Sequence, residues 1–493
     1  MASSELKHPL GIQPLGNMYL TGAQNHKAAG IGQLAQLNDE ILMSVLGHLD
    51  AQSLGRLSTT SKACYIFACH DELWRALVLT EFMGNFHFFH SWRGTYLCRL
   101  ASTNLEPDSV VEPPPAKKRR ASEYSYAINL DNRFFSDLLF QPWFCANVPL
   151  CPTWLEVENV DRRSQLSVEE FRRAYEAPNR PVVITDVVGK WDASKLWTRE
   201  YLLQAYGDRP TIVGGYKMKL HDYYRYADQA GNDDQPLYLF DKHFSSSASK
   251  LACDYTVPEY FSEDLFAALG AARPDFRWLI VGPQRSGSTF HKDPNCTSAW
   301  NAVIKGAKKW VLFPPSCIPP GVHPSEDGLD VAAPVSLVEW FLNFYDEALE
   351  RGIQPLECIC REGDLLFVPR GWWHMALNLE HSVAVTQNFV SQVNLPHVRK
   401  YIKQAHLVSG CEHEDRASLA ERFDHALQEQ HPALWEQEVK KDSERKERAH
   451  NSKALSNLFA SDGNTGKEFC FNFGADNEMA TNDDSAKNFK FNF

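Results

Sequence analysis

From Leu34 onward the apolar residues fall at helical spacing. Leu37, Ile41, Leu42, Val45, Leu46 and Leu49 share one face. Asn38 or Asp39 can cap the start of this helix, and Glu40 suits its first turn. A second stretch holds Leu54, Leu57, Ser61, Ile66 and Phe67, and a third holds Leu73, Trp74 and Leu77. The spacing predicts three short helices with too few residues to bury their faces well alone. Trp92, Arg93 and Tyr96 predict another helix leading onward. Further along, period-2 runs take over. Pro181–Thr185, Arg277–Val281, Leu365–Pro369 and Ser382–Asn388 read as strands, as does the KKWVLFP segment from Lys308. Helices are expected over 166–175, 197–206 and 257–269, and on a short segment bearing Tyr223, Tyr224 and Tyr226. Leu395–Leu407 and Leu419–Leu434 are helical by period, and 435–450 reads as a charged, solvent-exposed helix. Short strands with helices between them suit an α+β chain built on a double-stranded β-helix with helical additions.

Other stretches lack any period. Residues 1–33 are polar and glycine-containing and read as a flexible lead-in. Residues 101–125 read as a linker with Pro113-Pro114-Pro115. Its basic cluster, Lys117 to Arg120, is either a nuclear import signal or a solubilising charge run. Phe134–Trp154 is aromatic and is expected to pack across the edge of the sheet structure. Residues 451–493 read as disordered. They hold FCFNF at 469–473 and FKFNF at 489–493, a partner-docking motif, an edge-adding strand or a chance duplication.

The chain has 493 residues, 44% hydrophobic and 23% charged, which suggests about three folded units with ample core. A formal charge of −12 speaks against broad electrostatic binding to nucleic acid. No apolar run is long enough to span a bilayer, and no signal-peptide pattern opens the chain. The twelve cysteines are scattered; the closest pair, Cys358 and Cys360, matches no zinc ribbon or disulfide framework. Reduced thiols in an intracellular protein are expected. His87 and His90 have no carboxylate or cysteine partner at a useful spacing and are read as packing residues.

The chemistry concentrates in two stretches, 282–314 and 363–390. His291-Lys292-Asp293 on extended chain puts the imidazole and the carboxylate on one face. His374, which follows Trp372 and Trp373 at the end of an apolar strand, can complete a two-histidine, one-carboxylate set. Such a set holds one face of an octahedral metal and leaves positions open, the arrangement suited to non-haem Fe(II) with O2 and a chelating acid. An acid co-substrate needs a cation. Lys308 and Lys309 open a strand, and alternation sends one inward and one to solvent. Thr386 supplies a hydroxyl from a half-buried strand.

These residues resemble the jumonji-C family of Fe(II)- and 2-oxoglutarate-dependent oxygenases, and most of all its lysyl hydroxylase and arginine demethylase group. The shared features are His-x-Asp at 291–293, Thr-Ser-Ala-Trp-Asn ending at Asn301, and the gap to Lys308. Gly-Trp-Trp-His ending at His374 and Thr-Gln-Asn at 386–388 complete them. The resemblance implies a cupin-like jelly-roll barrel over 126–395, with supporting helices over 396–450. It implies iron ligation by His291, Asp293 and His374. It also implies that Lys308 binds the distal carboxylate of 2-oxoglutarate with help from Thr386 and Tyr238. Asn301, and Ser288 where the group has threonine, are implied neighbours of the co-substrate. The implied reaction consumes O2 and 2-oxoglutarate and either hydroxylates a lysine side chain or demethylates methyl-arginine or methyl-lysine on a protein substrate, histones included.

The segment 34–100 resembles an F-box, whose family docks on the Skp-type adaptor of a cullin-RING ubiquitin ligase. The usual Leu-Pro opening is Leu37-Asn38 here. Together these features imply an enzyme of the nucleus, with cytoplasmic presence also open, and a homodimer is one use of the C-terminal helices. Two other classes compete: a ligase substrate receptor whose barrel merely grips its target, and a zinc hydrolase using the same His/Asp set.

Overall fold

The computed structural model describes residues 6–102 and 133–460. The basic cluster at 117–120 and both phenylalanine motifs of the tail lie outside the described residues.

Two sheets carry the catalytic half of the chain. In the larger, nine strands run in the order Arg162–Arg163, Val182–Ile184, Leu365–Val368, Ser298–Lys305, Ser382–Phe389, Arg277–Gly282, Leu239–Asp241, Pro210–Val213 and Tyr216–Lys219. The smaller sheet orders Leu356–Arg361, Ala307–Phe313, Trp373–Asn378 and Gly287–His291. Apart from the edge pair of Arg162–Arg163 with Val182–Ile184, every strand pairing in the two sheets is antiparallel. The inner faces meet in one apolar cluster, with Val183, Val303 and Leu366 from one sheet against Trp310, Leu312 and Ala376 from the other. This is the expected cupin-like architecture as two facing sheets, without closure into a ring. The expected helix over 257–269 is instead a pair of 3-10 turns, Glu259–Phe261 and Leu265–Ala272. Phe261 inserts between Trp300 and Phe367, and Asp264 accepts from the backbone of both Phe266 and Val390. Those anchors pull the chain off helical geometry.

The F-box segment forms four short helices rather than three: Asp39–Leu46, Ala51–Leu57, Lys62–Ala68 and Asp71–Phe82. Asn38, Asp50 and Ser61 cap the first three by accepting the backbone N–H of Ile41, Ser53 and Cys64; such a cap contributes about 1 kcal/mol. The second and third run together in the apolar pattern because Ser61, which ends one period, starts a new helix. Their buried face does not stand alone. Leu42, Phe67 and Trp74 belong to the same apolar cluster as Tyr226, Val281 and Trp300 of the oxygenase half.

Residues 6–33 are structured, contrary to the flexible lead-in expected. Ile12–Gln13 pairs in parallel with Phe134–Phe135, and helices follow at Leu15–Thr21 and Lys27–Ile31. Asn25 donates to the Phe135 carbonyl at 2.7 Å. Asp39 takes both the Lys27 ammonium and the Ser136 hydroxyl. These elements are too short to show a period and are ordered by tertiary contacts. Phe134 accordingly packs on Phe67 of the F-box, while Trp154 stacks on Phe341 at the smaller sheet's outer side. At the other end, helix Pro432–Ala460 runs ten residues beyond the expected start of the disordered tail.

Lys309 corrects another expectation. Alternation does put Lys308 and Lys309 on opposite faces, but the outer face is covered too, so both are buried, at 1% and 0% exposure. Lys309 pairs with Glu357 on the neighbouring strand at 2.7 Å and donates to the Val157 carbonyl at 2.8 Å. Glu357 also accepts from the Tyr345 hydroxyl at 3.0 Å. Removing one member of such a pair strands the other charge. Lys309→Met is therefore expected to destabilise the protein by about 3–5 kcal/mol, and adding Glu357→Gln to recover part of that loss. Thermal melting of the two variants beside wild type checks this; equal melting temperatures for wild type and Lys309→Met would refute it.

Candidate active site

Antiparallel pairing sets His291 directly opposite His374. The imidazole centroids are 4.2 Å apart. Asp293 follows on extended backbone just past the strand end, ahead of the turn Pro294–Cys296. One ligand atom from each of the three residues lies within 4.8 Å of the others. That turn is held from outside, because Asn295 exchanges two hydrogen bonds with Ser409.

The protonation pattern suits a metal. His291 Nδ1 donates to the Thr289 carbonyl at 2.7 Å, and His374 Nδ1 donates to the Trp372 carbonyl at 3.0 Å. With Nδ1 protonated, each Nε2 keeps its lone pair for a cation. Burial lowers both imidazoles to about 4, and for His291 the neighbouring His374 adds to this. Both rings are neutral at pH 7. Burial raises Asp293 to about 6, opposed by His291 and by the amide of Asn388. Asn388 Nδ2 reaches Asp293 Oδ1 at 3.3 Å, while Asp293 Oδ2 is buried with no hydrogen-bond partner. Two neutral imidazoles and a half-satisfied carboxylate are a donor set that a divalent cation completes.

Lys308 lies on the strand between Leu356–Arg361 and Trp373–Asn378. Its ammonium donates to the Tyr238 hydroxyl at 2.8 Å and to Asn378 Oδ1 at 2.7 Å. Both partners are neutral, and burial lowers the lysine to about 7. A buried ammonium without a counter-charge fits an incoming carboxylate. Thr386 sits opposite Asn301 in the facing sheet. Its hydroxyl donates to the Trp300 carbonyl at 2.8 Å, which leaves its oxygen free to accept. Asn301 Oδ1 is buried without a partner. Ser288 shares the His291 face through a bulge: Thr289 and Phe290 stand opposite the single residue Met375 of the neighbouring strand.

The structure thus gathers His291, Asp293 and His374 and puts Lys308 in contact with Tyr238. Thr386 and Asn301 face each other by register, and Ser288 lies on the histidine face. Asn378 escaped the sequence reading, and Asn388 was noted there only as part of a motif, without a role. Asn378 orients the lysine and donates to Ser286 Oγ at 2.8 Å; it stands four positions after His374, so strand period alone places it on the same face. Asn388, two positions after Thr386, bears on Asp293 for the same reason.

Comparison with known proteins agrees. The family described as cupin-like domain matches residues 168–395, and that described as F-box-like matches 34–80. The arginine-specific demethylase JMJ22 of Arabidopsis thaliana is 46% identical over 447 residues, 90% of this chain and 85% of that protein. This chain is a jumonji-C oxygenase with an F-box. The oxygenase is also 36% identical over 302 residues to the bifunctional arginine demethylase and lysyl-hydroxylase psr-1 of Caenorhabditis elegans, covering 57% of this chain and 70% of that one. The 2-oxoglutarate and iron-dependent oxygenase JMJD4 of Danio rerio is 27% identical over 274 residues, 48% and 61% of the two chains. The cofactors are Fe(II) and 2-oxoglutarate, and the donor set described above fits both.

Lys308 links co-substrate affinity to pH. A bound carboxylate favours its charged form and raises its pKa, so above pH 7 binding takes up a proton. Affinity for 2-oxoglutarate is expected to be flat below about pH 7 and to fall by up to about tenfold per pH unit above it. Lys308→Arg keeps its charge and is expected to lose that slope. Calorimetric titration of the metal-loaded protein in the absence of O2 reads both; a pH-independent affinity in wild type would refute the assignment.

Proposed function

We propose that this oxygenase acts on the side chain of a lysine or a methylated arginine in a protein substrate. The observation that carries the reading is a buried, neutral-partnered lysine in the same chamber as an open His-Asp-His set. When bound, the iron with O2 and 2-oxoglutarate supplies the oxidising power to place an oxygen atom on a C–H bond, with succinate and CO2 as co-products. Every other part is performed by the chain. Lys308 and Tyr238 take the far carboxylate of the co-substrate, and Thr386 offers an acceptor beside them. Trp310 and Trp372 wall the histidine side and keep water out, while Trp373, alternating with His374, packs on the outer face of the sheet. Asn388 orients Asp293, and the backbone carbonyls of 289 and 372 orient the imidazoles. Hydroxylation of a methylene carbon is stable. The same step on an N-methyl group gives a carbinolamine that releases formaldehyde, so one site supports both outcomes.

A barrel kept only for gripping a target would have no need of a complete ligand set, and a zinc hydrolase would have no need of Lys308. The names and identities of the relatives support a basic side chain as the target. His291→Ala is expected to lower Fe(II)-dependent 2-oxoglutarate turnover by at least about 10³-fold. Equal turnover in variant and wild type would refute the enzyme. Mass spectrometry of a methyl-arginine histone peptide and a lysine-containing peptide then separates a lost methyl from a gained oxygen.

The F-box reading extends to the adaptor. Leu42 is buried, whereas Ile41 and Val45 on the same helix are 51% and 45% exposed. We place the Skp-type adaptor on that exposed pair, with the enzyme working in the nucleus as a ligase-linked modifier and the C-terminal helices as a surface for self-association. Ile41→Asp with Val45→Asp is expected to abolish adaptor co-purification while leaving 2-oxoglutarate turnover intact. Retained co-purification would remove the adaptor from this face.

A further inference from the structure

The segment after the F-box helices meets the oxygenase backbone to backbone. Gly84 has φ +85°, and a Cβ there would sit 2.0 Å from the Lys217 carbonyl oxygen, so only glycine permits the approach. Phe88 packs edge-on against Tyr226 at 5.0 Å, and Trp92 Nε1 donates to Asp233 at 3.2 Å. The Gln229 side chain accepts the His90 N–H at 3.0 Å. This docking holds His87 beside His221 and Asp222, in the first turn of helix Leu220–Ala227.

His87 Nδ1 lies 2.7 Å, and His221 Nε2 3.0 Å, from one and the same oxygen, Oδ1 of Asp222. Yet that oxygen has no hydrogen-bond partner, although the Asp222 side chain is only 8% exposed. Both ring nitrogens thus lie at ion-pair distance from one buried carboxylate oxygen, yet neither is aligned to hydrogen-bond it. Buried polar atoms are almost always satisfied, and one that is not calls for an ion or a water. Here all three neighbouring atoms are metal donors, and together they form a group within 4.8 Å.

We propose that His87, His221 and Asp222 form a second metal site, for zinc, that clips the segment following the F-box to the oxygenase. Imidazole nitrogen and carboxylate oxygen are a fitting set for Zn2+, which takes four ligands in a tetrahedron. Magnesium and calcium prefer all-oxygen shells with more ligands. Bonds of about 2.0 Å place tetrahedral donors about 3.3 Å apart. The observed spacings open to that by rotation of the two half-exposed imidazoles. Their exposure also leaves the fourth position to water. No residue of this site belongs to the iron centre. Because the ligands come from both sides of the junction, a bound ion would hold residues 84–92 against helix Leu220–Ala227.

Metal content of the chelator-stripped full-length protein, measured by mass spectrometry after dialysis against Zn2+, tests this. Zinc also enters the iron centre, so wild type is expected to hold two equivalents and His291→Ala/Asp293→Ala one. His87→Ala, at a largely exposed position, is expected to hold one and to keep its Fe(II)-dependent 2-oxoglutarate turnover. His221→Ala is expected to do the same. In wild type, added Zn2+ is expected to slow hydrogen exchange over 84–92. Equal zinc content in wild type, His87→Ala and His221→Ala would overturn the proposal, as would a single equivalent in wild type that disappears with the iron triad.

Discussion

Cross-strand register is the constraint on which the active site depends. His291 faces His374 because the Gly287–His291 strand pairs with Trp373–Asn378 in one register, which also sets Ser288 opposite Ala376 and Gly287 opposite Leu377. A slip of one residue would turn one histidine out of the chamber, since side chains alternate across a strand. The same register carries further. Lys308 pairs with Asn378 across the next strand boundary, so the alignment that joins the histidines also seats the lysine on its acceptor. The bulge between Ser288 and His291 breaks alternation, and breaking it returns Ser288 to the working face. Two chemical subsites are thus tied to a single alignment of three strands.

That alignment is held by groups outside the chamber. On the reverse face, Lys309, Glu357 and Tyr345 form a small polar set in an otherwise apolar environment. Charged pairs of this kind contribute little net stability but are costly to break. Their effect here is to disfavour any register that separates Lys309 from Glu357, which sit diagonally across the strand pair, Lys309 opposite Ile359 and Glu357 opposite Val311. Inside the chamber the logic is reversed. Asp293 Oδ2, Asn301 Oδ1 and the Lys308 ammonium are left under-satisfied, which costs folding energy that metal and co-substrate return when they bind.

How much of this was legible in the chain follows from what each feature depends on. Period 2 was enough to place His291 and His374 on strand faces and Asp293 on the same side of the extended chain beyond, and it would have sufficed to give Asn378 and Asn388 their places had it been followed past the obvious ligands. Burial of Lys309 was not legible, because its cover comes from Val157 and Tyr345, which are remote in sequence. Order in residues 6–33 was invisible for a related reason: a two-residue strand and helices of seven and five residues have no period to detect. The 257–269 segment misled through composition. Its apolar content resembles a helix, yet Phe261 and Asp264 serve distant partners and dictate turns. His87 was dismissed for want of a carboxylate nearby in sequence, and folding brought one.

The F-box of this enzyme is no independent bead. Its buried residues are continuous with the oxygenase core, the N-terminal strand pairs with Phe134–Phe135, and Gly84 lets the next segment lie directly on the Tyr216–Lys219 strand. Helix Leu220–Ala227, which receives that segment, is joined to the sheet by Tyr223, whose hydroxyl donates to the Val281 carbonyl at 2.8 Å. Val281 pairs with Val383 on the strand that carries Thr386. A continuous chain of packed elements therefore runs from the first F-box helix to the co-substrate chamber. A substrate seated in the chamber would be held at a set distance and angle from whatever docks on Ile41 and Val45. Geometry of that kind differs from a flexible tether, in which the second binding event depends on linker length. Here the packing fixes which side of a bound target faces the first F-box helix, so a partner docked on that helix would address a surface of the target separate from the one the oxygenase modifies.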